Sequence, residues 1–79
     1  MQIEEVQAAV QAAISDSEVQ AKFEGSHVHL LVISTAFEGA SPVKRQQMVY
    51  AALSEAIASG AIHAVHMKTL TPAEYQQQV

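Results

Sequence analysis

Between His27 and Thr69 the chain runs strand, helix, strand, and that succession limits the fold more than any other stretch. Residues 27–35, His-Val-His-Leu-Leu-Val-Ile-Ser-Thr, form a β-rich run. Val28, Leu30 and Val32 take one face, and His29, Leu31 and Ile33 take the other, so this strand is expected at the centre of a sheet. A loop follows over Phe37-Glu38-Gly39-Ala40-Ser41-Pro42, in which Ser41 is placed to cap a helix and Pro42 suits its first position. The main helix is expected over 42–58, with Val49, Ala52, Leu53, Ala56 and Ile57 as its buried stripe. Gly60 stops it, and a third strand is expected over 62–69, ending before Thr71-Pro72. A strand–helix–strand unit is right-handed and lays its two strands parallel.

Upstream, Ile3, Val6, Val10, Ala13 and Ile14 recur at helical spacing over residues 2–14, with Glu4 and Glu5 in the first turn, where the helix dipole favours acids. Ser15-Asp16-Ser17 breaks that helix. Val19, Ala21 and Phe23 then alternate with polar residues, the period of a half-buried strand. Gly25-Ser26 is a tight turn, so this strand pairs antiparallel with the next. After Thr71-Pro72 one weak helical turn is expected over 73–77, capped by Thr71, with a frayed end.

The expected fold is α+β: one domain over residues 1–79, two layers in the order αββαβ(α), and a three-stranded mixed sheet with helices on one face. Val19, Ala21, Phe23, Val28, Leu30, Val32, Val65 and Met67 should face the helices. Leu31, Ile33, Ile62 and Ala64 should show to solvent, either as a small partner surface or as ordinary exposed apolar atoms.

Composition narrows the function. With 79 residues the chain is near the lower end of what folds alone, and its core must be small and aliphatic, since it has no Trp and only two Phe and two Tyr. No Cys means no disulfide, no thiol nucleophile, no self-contained zinc finger and no all-Cys iron–sulfur site. There is no basic-then-apolar leader and no apolar run of the ~20 residues that cross a membrane, so the cytoplasm is the expected location. A net charge of −4 argues against strong non-specific nucleic-acid binding. No phosphate-binding glycine loop and no acid–His pairing of a hydrolase is present, and so short a chain rarely encloses a pocket of roughly 300 Å³, so it reads as a non-enzyme.

The histidines are the candidate chemistry. His27 and His63 sit near the starts of the second and third strands, and parallel neighbours bring those starts to one edge of the sheet, where two imidazoles could share a metal or a cluster. Alternation gives His27 the face of Leu31 and Ile33 but gives His63 the face of Val65 and Met67. His27 and His29 form an HxH pair pointing one way, a usable chelate and the basis of a plain zinc-binding adaptor. His63 and His66, three apart, should face oppositely. Against all of these stands the plain reading that exposed strand histidines are solvated. Lys44-Arg45, at a helix N-terminus beside Glu38-Gly39, is a candidate phosphate contact; a solvated helix face is the simpler reading of the pair.

The segments GSHVHLLVIS, AFEG-x-SPVKRQQMVY-x-AL and AIHAVHMKTLTPAEY, over roughly residues 17–75, together resemble the BolA-like family (BolA/IbaG type). The resemblance implies a fold similar to a type II KH domain, here without the GxxG loop that such domains use on nucleic acid. It implies a protein that pairs with a monothiol glutaredoxin and shares a [2Fe–2S] cluster, glutathione being supplied on the partner side, in cluster trafficking or an iron/redox stress response. The family's ligand histidine in the IHA motif corresponds to His63. A second ligand comes from the loop before the second strand, where His27, then His29, are the candidates; in other members that loop is longer and can carry Cys. Histidine on one iron raises the reduction potential of such a cluster. The resemblance also implies, as the alternative, a nucleic-acid-binding transcriptional regulator, which would have to use Lys44, Arg45 and Lys68. A homodimer is a further partner to be considered.

Overall fold

The computed structural model describes residues 2–78. Its elements are α1 (Ile3–Ala13), β1 (Ser17–Glu24), β2 (His27–Ser34), a 3-10 turn (Thr35–Phe37), α2 (Pro42–Ala52), α3 (Ser54–Ala58), β3 (Ala64–Leu70) and α4 (Pro72–Gln78). The sheet order is β1-β2-β3, with β1 antiparallel and β3 parallel to the central β2. This is the mixed three-stranded α+β arrangement that the strand–helix–strand pattern predicts.

Local chemistry sets the element ends. The Gln2 N–H donates to the Glu5 carboxylate at 2.9 Å, closing the start of α1. Asp16 takes a left-handed conformation (φ 51°) in the turn into β1. At α2 the Lys44 N–H donates to Ser41 Oγ at 3.2 Å and Pro42 fills the first turn, as the sequence predicts. At α4 Thr71 and Glu74 form a reciprocal capping box: the Thr71 N–H donates to Glu74 Oε1 at 2.9 Å, and the Glu74 N–H donates to Thr71 Oγ1 at 3.2 Å. With that cap the expected weak turn over 73–77 becomes a seven-residue helix reaching Gln78, so residues 76–78 are helical rather than frayed; Val79 lies outside the described residues.

The core lies between the sheet and the helices α1 and α2. Val6 and Val10 of α1, Val19 of β1, Val28, Leu30 and Val32 of β2, and Val49 and Leu53 of the second helical region are all buried in one cluster. Four expectations need correction. The main helix bends at Leu53 (φ −108°, ψ 11°), which keeps its N–H bonds to Val49 and Tyr50 but divides the segment into α2 and α3. That bend turns Ile57 out of the stripe, leaving it 38% exposed. Ile62 is buried in the core rather than exposed: β3 begins only at Ala64, so Ile62 is free of the strand's alternation and drops inward. Ile33 is buried as well; it pairs in register with Leu70, and α4, which starts two residues beyond, lies against both strands. Among the described residues the exposed large apolar side chains are instead Val43, Tyr50 and Ile57, at seven-residue spacing along α2 and α3.

Candidate functional site

Gly60 delivers His63 to its place. The Ala61 N–H donates to Ala56 O at 3.1 Å and the Gly60 N–H to Ile57 O at 3.2 Å, the paired bonds of a Schellman stop, with Gly60 at φ 82°. Ile62 then anchors the connection in the core. His63, expected at the mouth of the third strand, stands immediately before it. Its backbone N–H donates to Ser26 O at 2.9 Å, and its ring Nδ1 lies 3.1 Å from Ser26 Oγ. The ring is exposed and, with Tyr50, Ile57, Ala64 and Val65, lines a shallow depression on the helix side of the sheet edge. Among the described residues no hydrogen bond engages its Nε2, and a Cβ added at Gly60 would lie 4.0 Å from that atom.

The other three histidines gather on the opposite face of the sheet. His29 lies directly across from His66 in the parallel register, and their rings stack at 4.6 Å between centroids and 12° between planes. His27 Nδ1 lies 3.3 Å from His66 Nε2. The His27 and His66 centroids are 5.5 Å apart with planes 22° from parallel. That separation exceeds the nitrogen separation by about two ring radii, so these rings meet edge to edge rather than face to face. His29 Nε2 is 3.6 Å from Glu24 Oε1, and Lys22 Nζ is 3.5 Å from the same oxygen.

Pairing β2 with β3 therefore brings His27 to within one residue of His63 along the strand ends, since His27 is in register with Ala64. The His27 ring, however, contacts His66. The sequence already held that signal: His66 lies opposite His63 by alternation, and in a parallel register this is the face of His27 and His29. Among the described residues, no three His, Asp or Glu side chains converge where a metal ion would be held. What the arrangement offers is two exposed imidazoles, His27 and His63, each with Nδ1 engaged and Nε2 open.

The basic candidates divide. Lys44 is exposed at the start of α2 and Lys68 is exposed on β3. Arg45 is neither a solvated helix residue nor a free cation, since its side chain is only 12% exposed. Its Nη1 donates to Glu74 Oε1 at 2.7 Å and to Thr69 O at 3.3 Å, its Nη2 to Glu74 Oε2 at 3.3 Å, and its Nε to Ala40 O at 3.0 Å. The guanidinium also lies 5.7 Å from the centre of the buried Phe37 ring. Those bonds, led by Arg45 and followed by the Thr71 N–H, hold the Glu74 carboxyl below the usual glutamate range.

Among the described residues no helix is long and apolar enough to cross a membrane. The chain is 43% identical over 75 residues to the acid stress protein IbaG of Escherichia coli K12, an alignment covering 95% of this chain and 89% of the other. A bolA protein homologue from Coxiella burnetii has the same fold, with a TM-score of 0.83 and 32% identity over 96% of this chain and 97% of that one. The BolA domain of SufE1 from Arabidopsis thaliana matches with a TM-score of 0.79 and 26% identity, covering 94% and 98% of the two chains. The family model described as BolA-like protein matches residues 3–74, nearly the whole described fold, and the chain belongs to the BolA-like family.

Proposed function

We propose that this chain is a non-catalytic binding module that shares a [2Fe–2S] cluster with a monothiol glutaredoxin, with His63 as its principal ligand and His27 as the second. The observation that carries the reading is the state of His63: an exposed ring fixed at Nδ1 and at its own backbone by Ser26, with Nε2 free. A ligand histidine needs a lone pair at one nitrogen and an orienting partner at the other. His27 meets the same requirement through His66. The chain has no Cys, so thiolates for the other iron must come from the glutaredoxin and its glutathione. Bound in this way, the cluster would supply a histidine-ligated iron with a raised reduction potential. Tyr50 and Ile57, exposed beside His63, supply apolar area against which a partner can dock without covering Nε2.

The test is to combine the chain with a monothiol glutaredoxin, glutathione, iron and sulfide. A coloured heterocomplex on size exclusion, with a visible circular dichroism spectrum distinct from that of the glutaredoxin alone, is the expected result. A cluster that stays wholly on the glutaredoxin, with the chain eluting separately, would refute the reading.

A further inference from the structure

We infer that Ser26 and His66 are positioning residues: Ser26 Oγ accepts the Nδ1–H of His63, His66 Nε2 accepts the Nδ1–H of His27, and both rings are thereby set to present Nε2 lone pairs. The inference rests on the cluster-sharing reading for its purpose, but it concerns proton positions in the free chain.

A neutral imidazole has one N–H and one lone pair, and which nitrogen carries the proton is set by its partners. At the 3.3 Å contact of His27 Nδ1 with His66 Nε2, one nitrogen must donate and the other accept. The two tautomers are therefore coupled. If His27 carries its proton on Nδ1, His66 must carry its own on Nδ1 too. If His66 donates from Nε2, the His27 proton is forced onto Nε2 and its lone pair is turned inward. The edge-to-edge meeting of the rings aligns the N–H with the acceptor lone pair. The His66 ring is in turn steadied by its stack on His29, whose own Nε2 lies 3.6 Å from the Glu24 carboxylate. When a Lewis acid takes the Nε2 lone pair of His27, only the first arrangement survives. Passing from the second to the first releases the Nε2 proton of His27 to water, moves the bridging proton from His66 to His27 Nδ1, and returns one proton from water to His66 Nδ1.

At His63 the partner is simpler. The Ser26 Oγ, 3.1 Å from Nδ1, offers the lone pair that takes the Nδ1–H, and the backbone bond from the His63 N–H to Ser26 O holds the two residues in register for that contact. Both orienting contacts span the same junction: the Gly25-Ser26 turn and the start of β2 against the start of β3.

The experiment reads ring nitrogens directly. Long-range proton–nitrogen NMR of the free, ¹⁵N-labelled chain, at a pH where the rings are neutral, should show His27 and His63 with Nδ1 protonated and Nε2 bare. His66→Ala should return His27, and Ser26→Ala should return His63, toward the Nε2–H form, each leaving the other ring unchanged and the amide spectrum folded. His66→Gln, whose side-chain oxygen is an acceptor, should restore part of the His27 signature. In the heterocomplex His66→Ala should weaken cluster binding by about 10- to 100-fold, the usual effect on affinity of losing a ligand's orienting partner. Either ring found with its proton on Nε2 in the unmodified chain, or unmoved by loss of its partner, overturns the assignment for that ring. Failure to form any shared cluster, with the NMR outcome as expected, would count against the functional reading alone.

Discussion

Arg45 and Glu74 are joined by two hydrogen bonds, at 2.7 and 3.3 Å, across 29 positions of sequence. The pair fastens α4 to the start of α2, and Arg45 also satisfies the carbonyls of Ala40 and Thr69. Arg45→Ala should therefore destabilise the fold by about 2 kcal/mol, since charged donors to part-buried acceptors are lost. Arg45→Lys should recover only part of that, because an ammonium cannot reproduce the planar fork. Lys44→Ala, one residue earlier and exposed, should change stability by less than about 0.5 kcal/mol. Urea midpoints of the three variants check the ordering.

The same pair gives an acid response. The carboxyl of Glu74 is held below its ordinary range by Arg45 first and the Thr71 N–H second, with burial opposing them. A depressed folded-state value makes this contribution complete above the unfolded glutamate value of roughly 4.3, and it is lost as pH falls from there through the folded value. Glu74→Gln should lower stability at neutral pH and flatten the loss on acidification below that value. Equal urea-midpoint losses for the Gln variant and the parent between pH 6 and acid would refute it.

For the cluster, His63→Ala should leave the fold intact and abolish the shared visible circular dichroism spectrum. His27→Ala should weaken it. His66→Ala, which alternation alone would call harmless, should resemble His27→Ala because the two rings are bonded. A folded His63→Ala variant with the parent spectrum would show that the wrong histidine has been chosen.

Phe37 is 0% exposed and sits beneath the Arg45 guanidinium. Phe37→Ala should cost about 3–5 kcal/mol, a large fraction of the stability of so small a domain. Thermal unfolding followed by far-ultraviolet circular dichroism should show a lowered midpoint or no folded baseline.

Duplex DNA should bind weakly and with a shallow salt dependence. Of the four cations, Arg45 is bonded inward and Lys22 lies 3.5 Å from Glu24, which leaves Lys44 and Lys68. Two phosphate contacts correspond to a slope of about −2 in log affinity against log salt. Fluorescence anisotropy across a salt series measures it; a sub-micromolar complex at physiological salt would contradict the expectation.

The sheet was legible because its signals are local: period-two alternation over Val19–Phe23, a doubly apolar β2, and Ser41-Pro42 and Gly60 bracketing the intervening helix. What escaped was set by contacts between distant residues. Nothing near Phe37 marks it as core, since it is the 3-10 turn after β2 that tucks it inward. Ile57 fits the helical stripe until the backbone bends at Leu53. Arg45 reads as half of a basic pair until Glu74 arrives from the far end of the chain. In the candidate site His63 was marked by its motif, whereas the His27–His66 contact depends on register, which alternation limits but does not by itself assign.

The glycine that ends α3 also lies beside a ring nitrogen. A Cβ at Gly60 would stand 4.0 Å from His63 Nε2, in van der Waals contact with the one atom of that ring left open, besides meeting the strain of φ 82°. A terminator of secondary structure thus doubles as a vestibule. Substitution at this position would act in two registers at once, loosening the helix end and narrowing the approach to the donor atom, so mutational scans should find Gly60 intolerant for reasons that stability measurements alone would undercount.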